Sequence, residues 1–166
     1  MTRPKYRVLV TGAHGFIGKN LVLRLNEQAN IEVLTFGRGD GDAGLQALLA
    51  TADLVIHLAG ENRPVSRDAF ELVNAGLTRR ICDGLQALGK AVPVMLASSA
   101  QAELDNPYGR SKLAAEQAVA QLAASSGNPV AIFRLPGVFG KWCKPNYNSV
   151  VATFCHNKAH DLPVQI

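Results

Sequence analysis

Five short runs rich in Val, Ile and Leu alternate along this chain with longer segments whose apolar residues recur at helical spacing. Each run is continuously apolar and does not alternate with polar residues, which is typical of strands covered on both faces. The pattern predicts a parallel sheet with right-handed crossovers and helices on both sides, a three-layer αβα arrangement. The predicted strands are Tyr6–Thr11, Ile31–Phe36, Leu54–Leu58, Val94–Ser98 and Val130–Arg134.

The predicted helices separate these strands, as a doubly wound α/β sheet requires. A chain of 166 residues fits one domain, so we predict a single domain over residues 1–166. Because a doubly wound sheet of two halves usually has six strands and only five are predicted, we expect this fold to be C-terminally incomplete. The predicted helices are Phe16–Gln28, Leu45–Leu49, Arg67–Leu88, Tyr108–Ser125 and Ser149–His160.

Composition argues against several classes of partner. The formal net charge is +4, but no block of basic residues provides the concentrated footprint of a nucleic-acid-binding protein. No apolar run approaches the roughly 20 residues that span a bilayer, and the first residues lack the apolar stretch of a signal peptide. The three cysteines form no CxxC pair, which indicates reduced thiols. We therefore expect a cytoplasmic protein that binds neither nucleic acid nor membranes.

Three glycines follow the first predicted strand at once, Gly12, Gly15 and Gly18, at the spacing GxxGxxG. A strand before and a helix after this spacing distinguish a dinucleotide-binding turn from a chance cluster of glycines. Gly12 permits the tight turn, Gly15 lets main-chain N–H groups approach a pyrophosphate, and Gly18 allows close helix–sheet packing. The segment predicts a phosphate site at the N-terminal end of the first helix. With the α/β pattern, it predicts a Rossmann-like NAD(P)-binding domain over residues 1–166. The alternative is a turn that merely connects strand to helix.

The end of the second predicted strand bears on the choice of dinucleotide. Folds that prefer NAD usually carry an acidic residue there, which accepts hydrogen bonds from the ribose 2′-hydroxyl. Here the strand ends at Phe36 and is followed by Gly37 and Arg38. A guanidinium at this place is suited to a 2′-phosphate. We therefore predict NADP (NADPH) as the preferred cofactor, with NAD possible because Asp40 and Asp42 lie nearby.

A serine, a tyrosine and a lysine form the pattern that carries chemistry. Ser99 directly follows the fourth predicted strand. Tyr108 and Lys112 are four residues apart and are therefore neighbours on one helical face. Asn106 and Pro107 suit the first positions of that helix. A nearby ammonium and the helix N-terminus both favour the phenolate form of a tyrosine. The pattern predicts acid–base chemistry on a substrate oxygen that a serine hydroxyl holds.

On these residues the sequence resembles the extended short-chain dehydrogenases/reductases, the NAD(P)-dependent epimerase/dehydratase family that acts on nucleotide sugars. It is especially similar to the bacterial capsule and O-antigen reductases, which form UDP-2-acetamido-2,6-dideoxy-L-talose and carry a C-terminal cupin domain. The segments that carry the resemblance are TGAHGFIG (11–18), HLAG (57–60), Asn74, SSA (98–100), YGRSK (108–112) and RLPGVFG (134–140).

The resemblance implies roles for individual residues. Tyr108 would be the catalytic acid/base, Lys112 would bind the nicotinamide ribose and lower the tyrosine pKa, and Ser99, or alternatively Ser98, would polarise the substrate carbonyl. His57 lies within an apolar strand and is interpreted as a buried core histidine. The cofactor contacts predicted are Gly12, His14, Gly15, Phe16, Ile17, Gly18, Arg38, Leu58, Ala59, Gly60, Asn74, Ser98, Tyr108, Lys112 and Pro136.

The implied function is NADPH-dependent reduction of the C4 keto group of a UDP-linked 6-deoxy-N-acetylaminosugar, with a homodimer as the implied assembly. One alternative is a nucleotide-sugar 4-epimerase or 4,6-dehydratase with bound NAD. An alternative of another class is a non-catalytic NAD(P)-binding sensor. His156 and His160 have a spacing that suits a metal, but no further ligand clusters with them, so we predict no metal site.

Overall fold

The computed structural model describes residues 5–62 and 71–164. All five predicted strands are present within one residue of the predicted ends. They are β1 (Tyr6–Thr11), β2 (Ile31–Phe36), β3 (Leu54–His57), β4 (Val94–Ser99) and β5 (Val130–Leu135).

The helices lie where the apolar periodicity indicated, with two differences. The second helix extends over eleven residues, because Leu45 and Leu49 are buried in the core and this packing outweighs the low helix propensity of the flanking Gly, Asp and Thr residues. The segment predicted as Arg67–Leu88 begins partly outside the described residues, and its described part starts with a π-helical turn, Glu71–Gly76. The α-helices are α1 (Phe16–Asn26), α2 (Gly41–Thr51), α3 (Leu77–Ala87), α4 (Pro107–Ser126) and α5 (Val150–Ala159).

The sheet has the strand order β2-β1-β3-β4-β5, and the pairs β1–β2, β1–β3 and β3–β4 are parallel. The six-stranded order 3-2-1-4-5-6 becomes this order when the strand outside β2 is removed. Within the described residues, the connection from β2 to β3 forms only the helix α2 and no further strand. That the fold is C-terminally incomplete stays a prediction.

Alternate residues of the strands face two separate cores, because successive side chains of a strand point to opposite sides of a sheet. Val8, Val10 and Ile56 pack with apolar residues of α1 on one face. Leu9 and Val55 pack with α2, α3 and α4 on the other. The predicted three-layer α/β architecture, Rossmann-like and doubly wound, is confirmed.

The chain divides into two compact units, Met1–Arg134 and Leu135–Ile166. The first unit contains the sheet and helices α1 to α4. The second contains α5, whose first turn is capped by the Ser149 hydroxyl as it accepts a hydrogen bond from the Ala152 N–H. The assignment of residues 1–166 to one NAD(P)-binding domain stays a prediction.

Candidate active site

The order of strands fixes where a ligand can lie. β1 is connected through α1 to β2 on one side, and its neighbour on the other side is β3. The strand order therefore reverses between β1 and β3, although the two strands are parallel. Ligands of open α/β sheets bind at the carboxyl ends of the strands at such a switch point. In this chain the carboxyl ends of β1 and β3 are followed by the Gly12 turn and by Leu58–Gly60, both predicted to contact a cofactor.

The turn after β1 is built so tightly that glycine is required. Gly12 has a φ of +71°, and a Cβ atom there would lie 2.6 Å from the Ala59 nitrogen. A Cβ atom on Gly18, the buried glycine of α1, would overlap the Gly12 carbonyl oxygen and lie 2.7 Å from the Ala13 Cα. The tight turn predicted at Gly12 is confirmed. Gly18 lets α1 pack closely against that turn, and the helix–sheet packing predicted for Gly18 stays a prediction.

The start of α1 offers main-chain donors to an anion. Gly15 is the N-cap residue in an extended conformation, and no side chain caps the helix. The first N–H groups of an α-helix have no partner within the helix. The positive end of the helix dipole lies at the same place and also favours an anion. Phe16, Ile17 and Gly18 supply these groups. Gly15, His14 and the turn residues therefore fit a pyrophosphate, and their contact with a dinucleotide remains a prediction.

The tip of β2 presents a guanidinium and no carboxylate at the strand end. The side chain of Arg38 is 91% exposed, and its Nη2 lies 3.2 Å from Glu61 Oε2. Asp40 is held back by the main chain, because its Oδ2 accepts a hydrogen bond of 2.6 Å from the Gly37 N–H. The His14 ring faces the same place, 4.0 Å from where a Cβ of Gly37 would lie. Arg38 and His14 thus flank the predicted position of the adenosine ribose.

The Asn74 side chain is hydrogen-bonded to Glu61 and Ser111. Its Oδ1 accepts from the Glu61 N–H at 2.7 Å, and its Nδ2 donates to the Glu61 carbonyl at 3.1 Å and to Ser111 Oγ at 3.0 Å. Both amide hydrogens are therefore used within the protein. The side chain ties the segment after β3 to α4, and the predicted cofactor contact of Asn74 has no donor left to make it.

His57 is buried and fully hydrogen-bonded, as its place in an apolar strand indicated. Its Nδ1 lies 2.6 Å from Thr11 Oγ1, and its Nε2 lies 2.9 Å from Thr78 Oγ1. Burial, together with the charge of Lys112, lowers the pKa of His57 from 6.5 to about 3. The imidazole is therefore neutral at physiological pH.

Acidification is expected to destabilise the fold through His57. Between about pH 6.5 and 3 the unfolded chain binds a proton on this residue and the folded chain does not. The free energy of unfolding therefore falls as the pH decreases through this range, by about 1.4 kcal/mol per pH unit from this group. Urea unfolding of the wild type and of His57→Gln at several pH values measures the difference. Parallel pH dependences in the two proteins would exclude a neutral buried histidine.

Ser99 and Tyr108 come together where α4 begins beside the end of β4, and Lys112 follows Tyr108 one helical turn later. Asn106 caps α4 by accepting a hydrogen bond of 2.8 Å from the Gly109 N–H, and Pro107 occupies the first turn, as predicted. Tyr108 is half-buried and forms a side-chain hydrogen bond with Ser99. The Lys112 ammonium donates to the Ala97 carbonyl at 2.9 Å.

Lys112 also reaches the end of β3. Its Nζ lies 3.5 Å from where a Cβ of Gly60 would be. The ammonium is thus placed between the strand ends of β3 and β4, on the same helical face as Tyr108. This arrangement brings the lysine next to residues predicted to contact the middle of the cofactor.

The pKa values of this group differ from the prediction in one respect. Burial raises the pKa of Tyr108 above 10.0, and the hydrogen bond with Ser99 offsets this only in part. The expected lowering of the tyrosine pKa by Lys112 is therefore wrong for this structure, because desolvation of the phenolate dominates. Burial lowers the pKa of Lys112 to about 8, although the nearby Glu116 carboxylate raises it.

Ser98 points to the opposite side of the sheet from Ser99. Its hydroxyl is buried and donates a hydrogen bond to the Glu116 carboxylate. The same carboxylate accepts hydrogen bonds from Nε and Nη2 of Arg134. Ser99 is thus the serine at the tyrosine, and any cofactor contact of Ser98 would fall to its main chain. Glu116 and Arg134 were not predicted. The signal for Glu116 was its position, one helical turn after Lys112 on the face of Tyr108.

Three further candidates, Pro136, His156 and His160, belong to the second unit. Pro136 belongs to the second unit, and its contact with a nicotinamide remains a prediction. The His156 and His160 rings stack with centroids 4.2 Å apart. Within residues 5–62 and 71–164 no three His, Cys, Asp or Glu side chains come close enough to hold a metal ion. In the same part of the chain no helix is both long and apolar enough to cross a membrane.

Comparison with known proteins defines the class. The sequence profile of the NAD dependent epimerase/dehydratase family matches residues 8–166. The chain belongs to this family. Among solved structures, UDP-glucuronic acid 4-epimerase from Bacillus cereus in complex with NAD matches with a TM-score of 0.80 over 95% of this chain and 64% of that chain. Because the sequence identity is 19%, this likeness shows the fold alone.

Two relatives are more similar in sequence. The chain is 50% identical over 160 residues to UDP-2-acetamido-2,6-beta-L-arabino-hexul-4-ose reductase of Pseudomonas aeruginosa, covering 96% of this chain and 43% of the relative. It is 43% identical to the capsular polysaccharide assembling protein CapF from Staphylococcus aureus, with a TM-score of 0.81, over 96% of this chain and 43% of that chain. The chain therefore spans less than half the length of these two relatives.

Proposed function

We propose that the chain is the cofactor-binding and proton-donating part of an NADPH-dependent reductase. Its substrate is a UDP-linked 6-deoxy-N-acetylaminosugar with a keto group at C4, an intermediate of capsule or O-antigen precursors. The names of the two relatives, a hexul-4-ose reductase and a capsular polysaccharide assembling protein, support this substrate class. The observation that carries the proposal is the hydrogen bond of Ser99 with Tyr108, beside Lys112 at the switch-point edge of the sheet.

The residues divide the chemistry between them. A bound NADPH supplies the hydride for the sugar C4 carbon. Ser99 holds the carbonyl oxygen, and the Tyr108 hydroxyl donates its proton to that oxygen as it becomes a hydroxyl. A raised tyrosine pKa suits reduction, because the phenol stays protonated until the oxygen needs the proton. The Tyr108 phenolate then recovers a proton from solvent.

Lys112 has a binding role in this proposal. Its pKa of about 8 leaves it mostly charged at neutral pH, so it can donate hydrogen bonds to ribose hydroxyls. The main-chain N–H groups at the start of α1 hold the pyrophosphate. Ala59 and Gly60, which follow β3, are small residues and leave room for the cofactor to lie across the ends of the strands.

The direct test is consumption of NADPH by the protein in the presence of a UDP-linked 4-keto-6-deoxy-N-acetylaminosugar. We expect one NADPH consumed for each C4 hydroxyl formed, measured by the loss of NADPH absorbance and by mass spectrometry of the sugar nucleotide. Dinucleotide binding without any consumption would reject the reductase and favour the binding-module alternative. Conversion of the sugar with no net NADPH consumption would favour an epimerase.

The preference for NADP is expected to depend on Arg38. A charge-assisted hydrogen bond contributes about 1.5–3 kcal/mol, so Arg38→Gln should weaken NADP⁺ binding by about 10–100-fold and change NAD⁺ binding little. The exposed pair with Glu61 is readily given up, since such pairs contribute at most about 1 kcal/mol. Calorimetric titration with both dinucleotides measures this, with Arg24→Gln on α1 as the control. Tighter binding of NAD⁺ than of NADP⁺ by the wild type would contradict the preference.

We further propose that the protein works in the cytoplasm as a homodimer. The family resemblance implies pairing through the long helices. Cys82, Cys143 and Cys155 are all free thiols, which suits a reducing compartment. The molar mass in solution, measured by light scattering at micromolar concentration, tests the dimer.

A further inference from the structure

The buried hydrogen bonds around His57 can have only one direction. The Thr78 hydroxyl donates its single hydrogen to the Asn74 carbonyl at 2.7 Å. Toward His57 Nε2 the same hydroxyl can therefore act only as an acceptor, so Nε2 carries the imidazole hydrogen. A neutral imidazole has one N–H, which leaves Nδ1 as an acceptor for the Thr11 hydroxyl at 2.6 Å.

The chain of donors continues beyond Thr11 to the end of β3. The Thr11 oxygen accepts from the Ala59 N–H at 3.2 Å, and the Thr11 carbonyl accepts from the Leu58 N–H at 3.2 Å. Every polar group in the series is therefore hydrogen-bonded, and each residue donates to the one after it. The order is Ala59, Thr11, His57, Thr78 and Asn74. Reversal of any one hydrogen would leave two buried groups facing each other with like polarity.

We propose that His57, held as the Nε2-protonated tautomer, is a positioning residue that sets the main chain of Ala59 and the turn of Asn74 for the dinucleotide. The inference rests on the proposed function, because it assigns the role within that same site. His57 acts through its neighbours and touches no cofactor itself.

The two ends of this hydrogen-bond series, Ala59 and Asn74, show what His57 positions. At one end, the Gly12 turn packs directly against the Ala59 main chain, so displacement of Ala59 moves the pyrophosphate turn. At the other end, Asn74 holds Glu61 and Ser111, and Ser111 is the neighbour of Lys112 on α4. One imidazole therefore links the phosphate turn, the tip of β3 and the helix that carries Tyr108.

Thr78 provides the sharpest test, because it lies on α3 and its hydroxyl joins the His57 ring to the Asn74 carbonyl. Thr78→Val keeps the shape of the side chain but removes the hydroxyl, whereas Thr78→Ser keeps the hydroxyl. We expect Thr78→Val to weaken NADP⁺ binding about tenfold and Thr78→Ser to bind within about threefold of the wild type. Calorimetry well below the unfolding temperature measures both variants in the same buffer.

A core variant separates positioning from simple loss of stability. Val119→Ala removes apolar contacts from the same sheet face without touching the hydrogen-bond chain. We expect it to lower the melting temperature at least as much as Thr78→Val does, with NADP⁺ affinity unchanged. Equal weakening of NADP⁺ binding in Val119→Ala, or wild-type affinity in Thr78→Val, overturns the inference.

The tautomer can be measured without any ligand. Imidazole ¹⁵N chemical shifts of His57 are expected to show a protonated Nε2 and an unprotonated Nδ1 throughout pH 5–8. A protonated Nδ1, or a titration within this range, overturns the inference whatever the binding data show. Failure of the wild type to bind any dinucleotide overturns the proposed function and this role together. Normal wild-type binding that Thr78→Val leaves unchanged overturns only the role of His57.

Discussion

Replacement of Tyr108 by phenylalanine is expected to lower the turnover number about 10²–10⁴-fold, the contribution that a positioned general acid makes. Only the phenolic oxygen is lost, and with it the proton donor and the hydrogen bond to Ser99. The ring still packs at the start of α4, so NADP⁺ affinity should stay within about threefold of the wild type. NADPH consumption with a 4-keto sugar nucleotide and calorimetric titration with NADP⁺ measure the two quantities.

Tyr6→Phe is the matched control for this substitution. The Tyr6 hydroxyl donates to the Asp53 carbonyl before the start of β3, at the opposite end of the strands from Tyr108. Loss of that hydroxyl should leave turnover unchanged. A Tyr108→Phe protein that turned over as fast as the wild type would remove the tyrosine from the reaction, whatever its effect on binding.

Replacement of Gly18 by alanine is expected to weaken dinucleotide binding by about 100-fold or more. The added Cβ would overlap the Gly12 carbonyl oxygen and press on the Ala13 main chain, neither of which can move without shifting the turn. Displacing two main-chain donors from a phosphate would cost about 3 kcal/mol, which corresponds to that loss of affinity. Overpacking should also lower the free energy of unfolding by about 1–3 kcal/mol.

Gly39→Ala is the control, because a Cβ there meets nothing within 4 Å. Titration with NAD⁺ avoids any effect on the neighbouring Arg38. The control should bind as the wild type does, and circular dichroism should show that both variants are folded. Undiminished binding in a folded Gly18→Ala protein would mean that the turn after β1 does not hold the phosphates.

The fold was largely predictable because its signals are local. Continuous apolar runs defined the strands, and the glycine spacing after Thr11 predicted the turn with the φ of Gly12 that only glycine adopts readily. The order of the strands in the sheet was not predictable in the same way. The number of strands was right, but the order β2-β1-β3-β4-β5 depends on pairing between distant segments, which no local pattern contains.

The candidate site was predictable where spacing alone placed its residues together. Tyr108 and Lys112 share a helical face, and the period of two in β4 already separates Ser98 from Ser99, since Val94 and Leu96 are buried on the side of Ser98. The hydrogen bonds of Asn74 could not be predicted in this way, because its partners Glu61 and Ser111 lie 13 and 37 residues away in sequence. The raised pKa of Tyr108 was likewise missed, since burial is a property of the folded chain.

A crystal structure of the protein with NADP⁺ tests the central claim most directly. The pyrophosphate should lie against the N–H groups of Phe16–Gly18 at the start of α1, with the nicotinamide ring facing the Tyr108 hydroxyl and the ribose within hydrogen-bond reach of Lys112. A dinucleotide bound elsewhere, or a Tyr108 hydroxyl directed away from the nicotinamide, would contradict the account.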